Sequence, residues 1–373
     1  MAKKTEPVRV AVLGAALFSE QGHIPGVQSH PHAEMVALFS RDLGRAQEMA
    51  ERTGVPEATD DLDALLARDD IDAVTIVSSN DQHHPYTMAA LQHGKHVLCE
   101  KPMALDAREA REMTLEAQKR GLVNQTAFTF RFTYCLEAMR RLVSAGEIGT
   151  PYFVEIQGQW LSRLLAQDAP KSWRDDPARY GPGHLGEMGS HFIDTVNFVC
   201  GPTSGFIAEV AATTYTGQRP AGKGATVDLA SFLVRTEGGL GGQVLASRTT
   251  PPAASYGLVH GEAGQRGHMG YVIVTGDQGA LKATFTRGEV EALQRLRPGE
   301  SWEAQSLPDA AGDGKPHGVE RMVHAFIDAI RSTPSDIAAT FEDGFRCQAA
   351  MDAIVAGGQS KRWEPVATGA EQG

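Results

Sequence analysis

The sequence predicts an α/β domain built on a parallel sheet, followed by an α+β domain with a large, mostly antiparallel sheet. Three observations carry that prediction. Short apolar runs in the first third alternate with helical segments, the rhythm of βαβ units. From Phe153 onward the apolar residues recur at every second position, as in half-buried strands. At 373 residues the chain is too long for one ordinary core, so two domains are expected.

The elements follow in order. Val8 to Leu13 reads as a buried first strand, and Gly14 opens the turn after it. A helix is expected around Ile24 to Val27, and Met35 to Phe39 is the second strand. Leu43 to Arg52 has helical character, with Gly54 placed to cap its C-terminus. A helix over Leu62 to Ala67 leads into a third strand, Ala73 to Val77, and a helix over Tyr86 to Gln92 stops at Gly94. Val97-Leu98-Cys99 is too short for a helix and reads as a strand. Pro102 ends it, because proline has no N–H to donate and restricts the residue before it. A helix over Ala107 to Lys119 and a strand near Val123 to Ala127 complete a nucleotide-binding type of domain, residues 1–128.

The second domain, 129–373, should hold strands at Phe153 to Gln157, Ala208 to Thr214, Val227 to Arg235, Gly242 to Ser247, Tyr271 to Thr275 and Leu281 to Phe285. Gly and Pro clusters separate them. Helices are expected at Phe192 to Val199, Val319 to Ile330 and Glu342 to Val355. Pro251 to His268 reads as a mobile loop and Thr368 to Gly373 as a disordered tail.

Composition narrows the partners. Hydrophobic residues at 42% and charged residues at 22% are those of a soluble globular protein. The net charge of −11, with signs interspersed, argues against nucleic acid or an anionic membrane, which both need a basic patch. Cys99, Cys135, Cys200 and Cys347 lie far apart with no CxxC, as free thiols of a reducing compartment would, so a cytoplasmic protein is expected. Lys3, Lys4 and Arg9 before Val10 to Phe18 resemble a signal peptide. Glu6 interrupts the basic region and no small-x-small site follows, so the run is read as the first strand. No stretch is long enough to span a membrane.

Several positions carry candidate chemistry. Lys101 falls where a strand ends, and in open α/β sheets ligands bind outside the carboxyl ends of strands. An ammonium there can polarise a substrate oxygen or hold a cofactor ribose; the plain alternative is a surface lysine. The turn from Gly14 to Gly22 sits where a phosphate loop would be, but of GxGxxG only Gly14 is in place. Ala16 and Ser19 occupy the other glycine positions, with Leu17 between them. Ser40-Arg41 offers a hydroxyl and a guanidinium suited to phosphate oxygens, which favours NADP over NAD. Asp42 comes too late for the usual acidic role on a ribose. Ser78, Asn80 and His83 follow the third strand and could line a nicotinamide ribose. His83-His84 as a metal pair lacks a completing carboxylate pair or cysteine.

Glu187 and His191 are four apart, so a helix beginning there puts both on one face. A histidine with a carboxylate to orient it is a suitable proton acceptor from an alcohol. The alternatives are an ordinary surface pair, or a metal set that adds His184. Gly183 and Gly186 disfavour a regular helix at His184, which weakens the metal set.

Together these residues resemble the glucose–fructose oxidoreductase / inositol dehydrogenase (Gfo/Idh/MocA) family of NAD(P)-dependent enzymes. The resemblance rests on the first strand with Gly14, on Ser79 to His83, and on Ala90 to Val97 running into Glu100-Lys101-Pro102. It continues through Phe128 to Phe132, Glu147-Ile148-Gly149, Trp173-Arg174 and Glu187 to Asp194, covering about residues 8–200. It implies a Rossmann dinucleotide-binding domain and a second domain whose outer sheet face forms a dimer or tetramer interface.

The family's active-site lysine, aspartate and histidine map onto Lys101, Glu187 and His191. Cofactor contacts are then expected at Gly14, Ala16, Leu17, Ser40, Arg41, Ser78, Asn80, His83, Glu100, Lys101, Thr129, Trp173 and Arg174. Substrate contacts are expected at Arg163, Trp173, His184 and His191, and no metal is. Asp194 is expected as a further substrate contact or as a helix residue facing solvent. Three positions depart from the family pattern: Glu187 replaces aspartate, the phosphate loop lacks its second glycine, and Thr129 stands where Asn is common.

The activity so implied moves hydride between nicotinamide, as NADP or alternatively NAD, and a secondary alcohol of a sugar, glycoside or cyclitol. Two rival readings are cleavage of a glycoside through transient oxidation and elimination, and a non-catalytic dinucleotide sensor. A sensor has no need of a proton acceptor such as His191.

Overall fold

The structure is a computed structural model that describes residues 6–159, 172–217, 226–249, 268–286, 291–307 and 318–368. The chain divides into two compact units, one of residues 1–132 with 316–345, the other of 133–315 with 346–373. Where the sequence suggests one boundary, at 128, the chain crosses at 132/133, 315/316 and 345/346.

The first unit holds β1 (Val8–Leu13), β2 (Ala33–Phe39), β3 (Glu57–Thr59), β4 (Ala73–Ile76), β5 (His96–Cys99) and β6 (Asn124–Thr126). They form a six-stranded sheet in the order β3-β2-β1-β4-β5-β6, with every pairing parallel. In β1, Val8, Val10, Ala11, Val12 and Leu13 are all fully buried, as a strand covered on both faces requires. Helices α1 (Ile24–Gln28), α2 (Leu43–Thr53), α3 (Leu62–Leu66), α4 (His83–Gln92) and α5 (Ala107–Arg120) connect the strands.

Three aspartates start these helices. Asp42, Asp61 and Asp106 accept the N–H groups of Arg45, Ala64 and Glu109, satisfying donors that the first helical turn leaves open. Gly54 ends α2 in the left-handed conformation at φ 70°. The edge strand β3 was not anticipated, because Glu57-Ala58-Thr59 carries no apolar alternation.

The second unit contains β7 (Pro151–Gln159), β8 (Ile207–Tyr215), β9 (Leu229–Thr236), β10 (Gly241–Ser247), β11 (His268–Gly276), β12 (Gly279–Thr286), β13 (Glu291–Leu296), β14 (Glu303–Ala304) and β15 (Trp363–Pro365). Its described strands make a nine-stranded sheet, β14-β13-β12-β11-β7-β10-β9-β8-β15, antiparallel except for the β7–β10 pair. Helix α6 (Tyr134–Ser144), the short α7 (Pro177–Tyr180) and α8 (Ser190–Ser204) belong with it. One sheet face supplies Val154, Ile156, Phe232, Val234 and Val244 to the core, all at most 2% exposed. Residues 251–267 of the expected loop and 369–373 of the expected tail lie outside the described residues, and His268 begins β11.

The first unit is completed late in the chain by α9 (Gly318–Ile330) and the start of α10 (Phe341–Ser360). Helix α9 lies against α1 so closely that a Cβ on Gly26 would be 2.9 Å from Val323 Cβ. Gln125 Nε2 donates to Met322 O at 3.0 Å, and Phe341 N–H donates to Asn124 Oδ1 at 2.8 Å. Among the described residues no helix is long and apolar enough to cross a membrane. The four cysteines are free and buried.

Candidate active site

In the first unit the strand order reverses between β1 and β4, the point where open parallel sheets bind ligands beyond their carboxyl ends. Gly14 stands there at φ +130°. A Cβ at this position would lie 2.2 Å from Val77 O. Only glycine fits, and its bare backbone leaves room for a pyrophosphate to approach. After it Ser19 turns back, its hydroxyl donating to Gly14 O at 2.5 Å and accepting from Ala16 N–H at 3.4 Å. Ser19 thus braces from within a loop that has no second glycine. Leu17 and Phe18 remain 65% and 42% exposed on the rim. The loop runs into a π-helical turn, Ser19–His23, which the sequence did not suggest.

At the end of β2, Ser40 is half-buried and Arg41 exposed. Asp42 Oδ1 accepts Arg45 N–H at 3.1 Å, so this carboxylate caps α2. At the end of β4, Ser79 and Asn80 are buried. His83, 1% exposed, has Nδ1 2.8 Å from Pro102 O and Nε2 3.3 Å from Ser78 O. It pins the β4 loop to the β5 loop, and burial lowers its pKa from the ordinary value. His84 Nε2 is 2.8 Å from Glu112 Oε2.

At the end of β5, Lys101 is half-buried and its bond to Pro102 is cis. Glu100, expected as a cofactor contact, is buried and meets His23 Nε2 at 3.0 Å. His23 was missed by the sequence reading, since nothing in Gln21-Gly22-His23 marks it. Thr129 opens a 3-10 turn, Thr129–Phe132, in the same unit.

In the second unit a polar cluster surrounds Glu187. Gly183, at φ +65°, passes so near the start of β9 that a Cβ would be 2.7 Å from Val227 O. Next to it, His184 N–H donates to Val227 O at 2.8 Å. The chain then takes a π-helical turn, Leu185–Gly189, before α8. His184 is already helical, at φ −67° and ψ −26°, so Gly183 and Gly186 do not keep a helix from starting there as expected; Glu187 stands on the wider turn and His191 on α8.

Tyr180 donates to Glu187 Oε2 at 2.6 Å, and Arg248 Nη1 donates to Tyr180 Oη at 3.1 Å. Arg248 Nε also donates to Asp228 Oδ1 at 2.7 Å, in an ion pair 3% and 0% exposed. His184 Nδ1 and Arg174 Nε approach the same carboxylate at 3.6 and 3.9 Å. Burial drives the Tyr180 hydroxyl well above its ordinary pKa, with Glu187 adding to it, so the phenol keeps its proton. Burial lowers the pKa of His184 despite Glu187 nearby.

Trp173 packs edge-on against Tyr180 at 5.5 Å, and Arg174 lies over the Trp173 ring at 4.5 Å. His191 and Asp194, at 4% and 1% exposed, are both buried. Of the two alternatives for Asp194, a substrate contact or a helix residue facing solvent, burial removes the second. Arg163 lies outside the described residues. Tyr180, Asp228 and Arg248 were not singled out from sequence; Asp228 and Arg248 are distant in the chain and meet only because β9 and β10 pair. Among the described residues, no group of three or more His, Cys, Asp or Glu has an arrangement that could hold a metal ion.

A parallel sheet of this order, with a glycine cradle at its switch point, defines a dinucleotide-binding α/β protein. The chain belongs to the GFO/IDH/MocA family: residues 8–128 match its oxidoreductase domain with an NAD-binding Rossmann fold, and residues 136–266 match its C-terminal domain. It is 32% identical over 202 residues to D-glucoside 3-dehydrogenase of Escherichia coli strain K12, 54% of this chain and 56% of that one. With levoglucosan dehydrogenase of Pseudarthrobacter phenanthrenivorans it shares 26% identity over 356 residues, 90% of each chain. The crystal structure of an oxidoreductase domain protein from Kribbella flavida superposes with a TM-score of 0.84 at 27% identity, covering 97% of this chain and all of that one. The first curated relatives are matched over little more than half their length, 55% and 56%.

Proposed function

We propose that this protein is an NAD(P)-dependent oxidoreductase acting on a secondary hydroxyl of a sugar, glycoside or cyclitol. The observation that carries this reading is one sheet end: the cradle at Gly14 and Val77 beside the carboxyl end of β5, where Lys101 emerges. Gly14, Ala16 and Leu17 would hold the pyrophosphate, Ser40 and Arg41 the adenosine ribose and its phosphate, and Ser78 and Asn80 the nicotinamide ribose. When bound, the dinucleotide supplies a hydride acceptor or donor. Arg41 at the β2 end, with Asp42 committed to its helix cap, supports NADP over NAD.

The chain's own residues do the rest. Lys101 stabilises negative charge developing on the substrate oxygen, as a fixed ammonium does best where water is excluded. His191 accepts the hydroxyl proton. Glu187, anchored by Tyr180, keeps a carboxylate near His184 and Arg248 and so sets the charge around the sugar hydroxyls. A further proposal is self-association through the outer sheet face, where Phe153 and Leu233 are 37% and 45% exposed on β7 and β9. The buried free cysteines support a cytoplasmic location.

Absorbance of NAD(P)H across a panel of sugars, glycosides and cyclitols tests the reading. Turnover should be found, and Lys101→Met and His191→Ala should each lower kcat by about 10²–10⁴. Near-normal turnover by His191→Ala would show that the proton goes elsewhere. A panel with no turnover at all would overturn the function.

A further inference from the structure

We propose that His23 and Glu100 are a positioning pair that sets the Lys101 backbone, and with it the ammonium; the catalytic consequence rests on the function proposed above. His23 ends the π-helical turn and is fully buried. Its Nε2 lies 3.0 Å from Glu100 Oε1, in a pair whose side chains are 0% and 9% exposed. The other oxygen, Glu100 Oε2, accepts the backbone N–H of Lys101 at 3.2 Å. Glu100's own N–H donates to Ile76 O at 2.9 Å, which fixes the residue at the sheet end. Both carboxylate oxygens are therefore used inside the protein, one of them on the lysine itself.

A buried carboxylate is costly unless hydrogen bonds compensate it, so an otherwise idle one at this position is unfavourable. His23 Nδ1 is buried without a hydrogen-bond partner among the described residues. Among the described residues the ring's hydrogen bond is the one to Glu100, in which Nε2–H donates to the carboxylate when Glu100 is ionised. The turn cannot slide away, because a Cβ on Gly22 would come within 2.8 Å of Val319 Cγ1 on α9. A continuous packed path runs from α9 through the phosphate-loop turn and His23 to Glu100 and Lys101. In this arrangement Glu100 is a holder of the lysine and not a ligand of the cofactor.

The test is amine labelling of the full-length protein without added cofactor, comparing wild type, His23→Leu and His23→Gln by mass spectrometry. In His23→Leu the acylation rate of Lys101 should change by about threefold or more while Lys119 and Lys282 keep theirs. His23→Gln, which restores a donor toward Glu100, should return Lys101 toward its wild-type rate. In turnover, His23→Leu should lower kcat by about tenfold with sugar KM little changed, and should add little in a Lys101→Met background. Glu100→Gln, which keeps the side chain's size, serves the same readouts if His23→Leu does not fold. Unchanged Lys101 labelling, or a uniform change at all lysines, overturns the pair. A wild-type protein without sugar turnover overturns the proposed function instead, and the labelling still decides the pair.

Discussion

A Cβ on residue 14 would sit 2.2 Å from the carbonyl oxygen of Val77, on a backbone held at φ +130°. Gly14→Ala must therefore move β1 and the β4 loop apart, or strain both. We expect dinucleotide affinity to fall by about tenfold or more together with a lowered Tm. Titration of NAD(P)H fluorescence with a thermal melt measures both, and unchanged affinity would remove the cradle from the binding site.

Arg41→Ala should weaken NADP much more than NAD, by about 1.5–3 kcal/mol for a lost charge-assisted hydrogen bond. Calorimetric titration with each dinucleotide gives the comparison. Equal losses for the two, or tight binding of NAD alone by the native protein, would end the assignment of Arg41 to a 2′-phosphate.

Arg248→Ala removes the guanidinium that pairs with the fully buried carboxylate of Asp228. A cost of about 3–5 kcal/mol is expected in denaturant unfolding, the usual penalty for breaking a buried ion pair. Lysine at 248 should recover only part of it. A single ammonium cannot reproduce the fork that meets Asp228, Tyr180 and Thr226 together. A loss below about 1 kcal/mol in the alanine variant, the range of an exposed pair, would refute this role.

Stability should fall as the pH drops below the ordinary histidine value. Burial lowers the pKa of His30, His83, His96 and His184 from 6.5, so the unfolded chain takes up protons that the folded one resists. Their contribution is complete above 6.5 and is lost as the pH falls toward their folded values. His96 shows the structural reason: its Nδ1 accepts Val123 N–H at 2.9 Å and can do so only without a proton. Asp70, held down to about 2 by its hydrogen bond from Arg68, takes up protons only well below this range. Urea midpoints at about pH 7.5 and 5.5 isolate the histidine effect; equal midpoints would contradict it.

The parts of the fold that were legible in sequence are those whose cause is local. Val8–Leu13, Ala73–Ile76 and His96–Cys99 are buried runs between turns, and Gly54 caps α2 as its position suggests. The strand β13 was not legible, because Glu-Ala-Leu-Gln-Arg-Leu is composed of helix formers and becomes a strand by pairing with β12. The same division runs through the site. Lys101 was readable from the proline that ends its strand, and Gly14 from the turn after the first. His23, Tyr180 and Arg248 act through partners distant in sequence or through a π-helical turn with no residue signature, so no local pattern exposes them.

The return of α9 to the first unit has a consequence for synthesis. A nascent chain that has reached Phe132 holds all six strands of the parallel sheet. It does not yet hold Met322, whose carbonyl takes the Gln125 amide, or Val323, which fills the space that Gly26 leaves open. At about 5–20 residues per second, roughly 10–40 s pass before Ile330, the end of α9, is made. Through that interval the nucleotide-binding half waits on the ribosome with the groove over α1 uncovered, its last helix still unwritten.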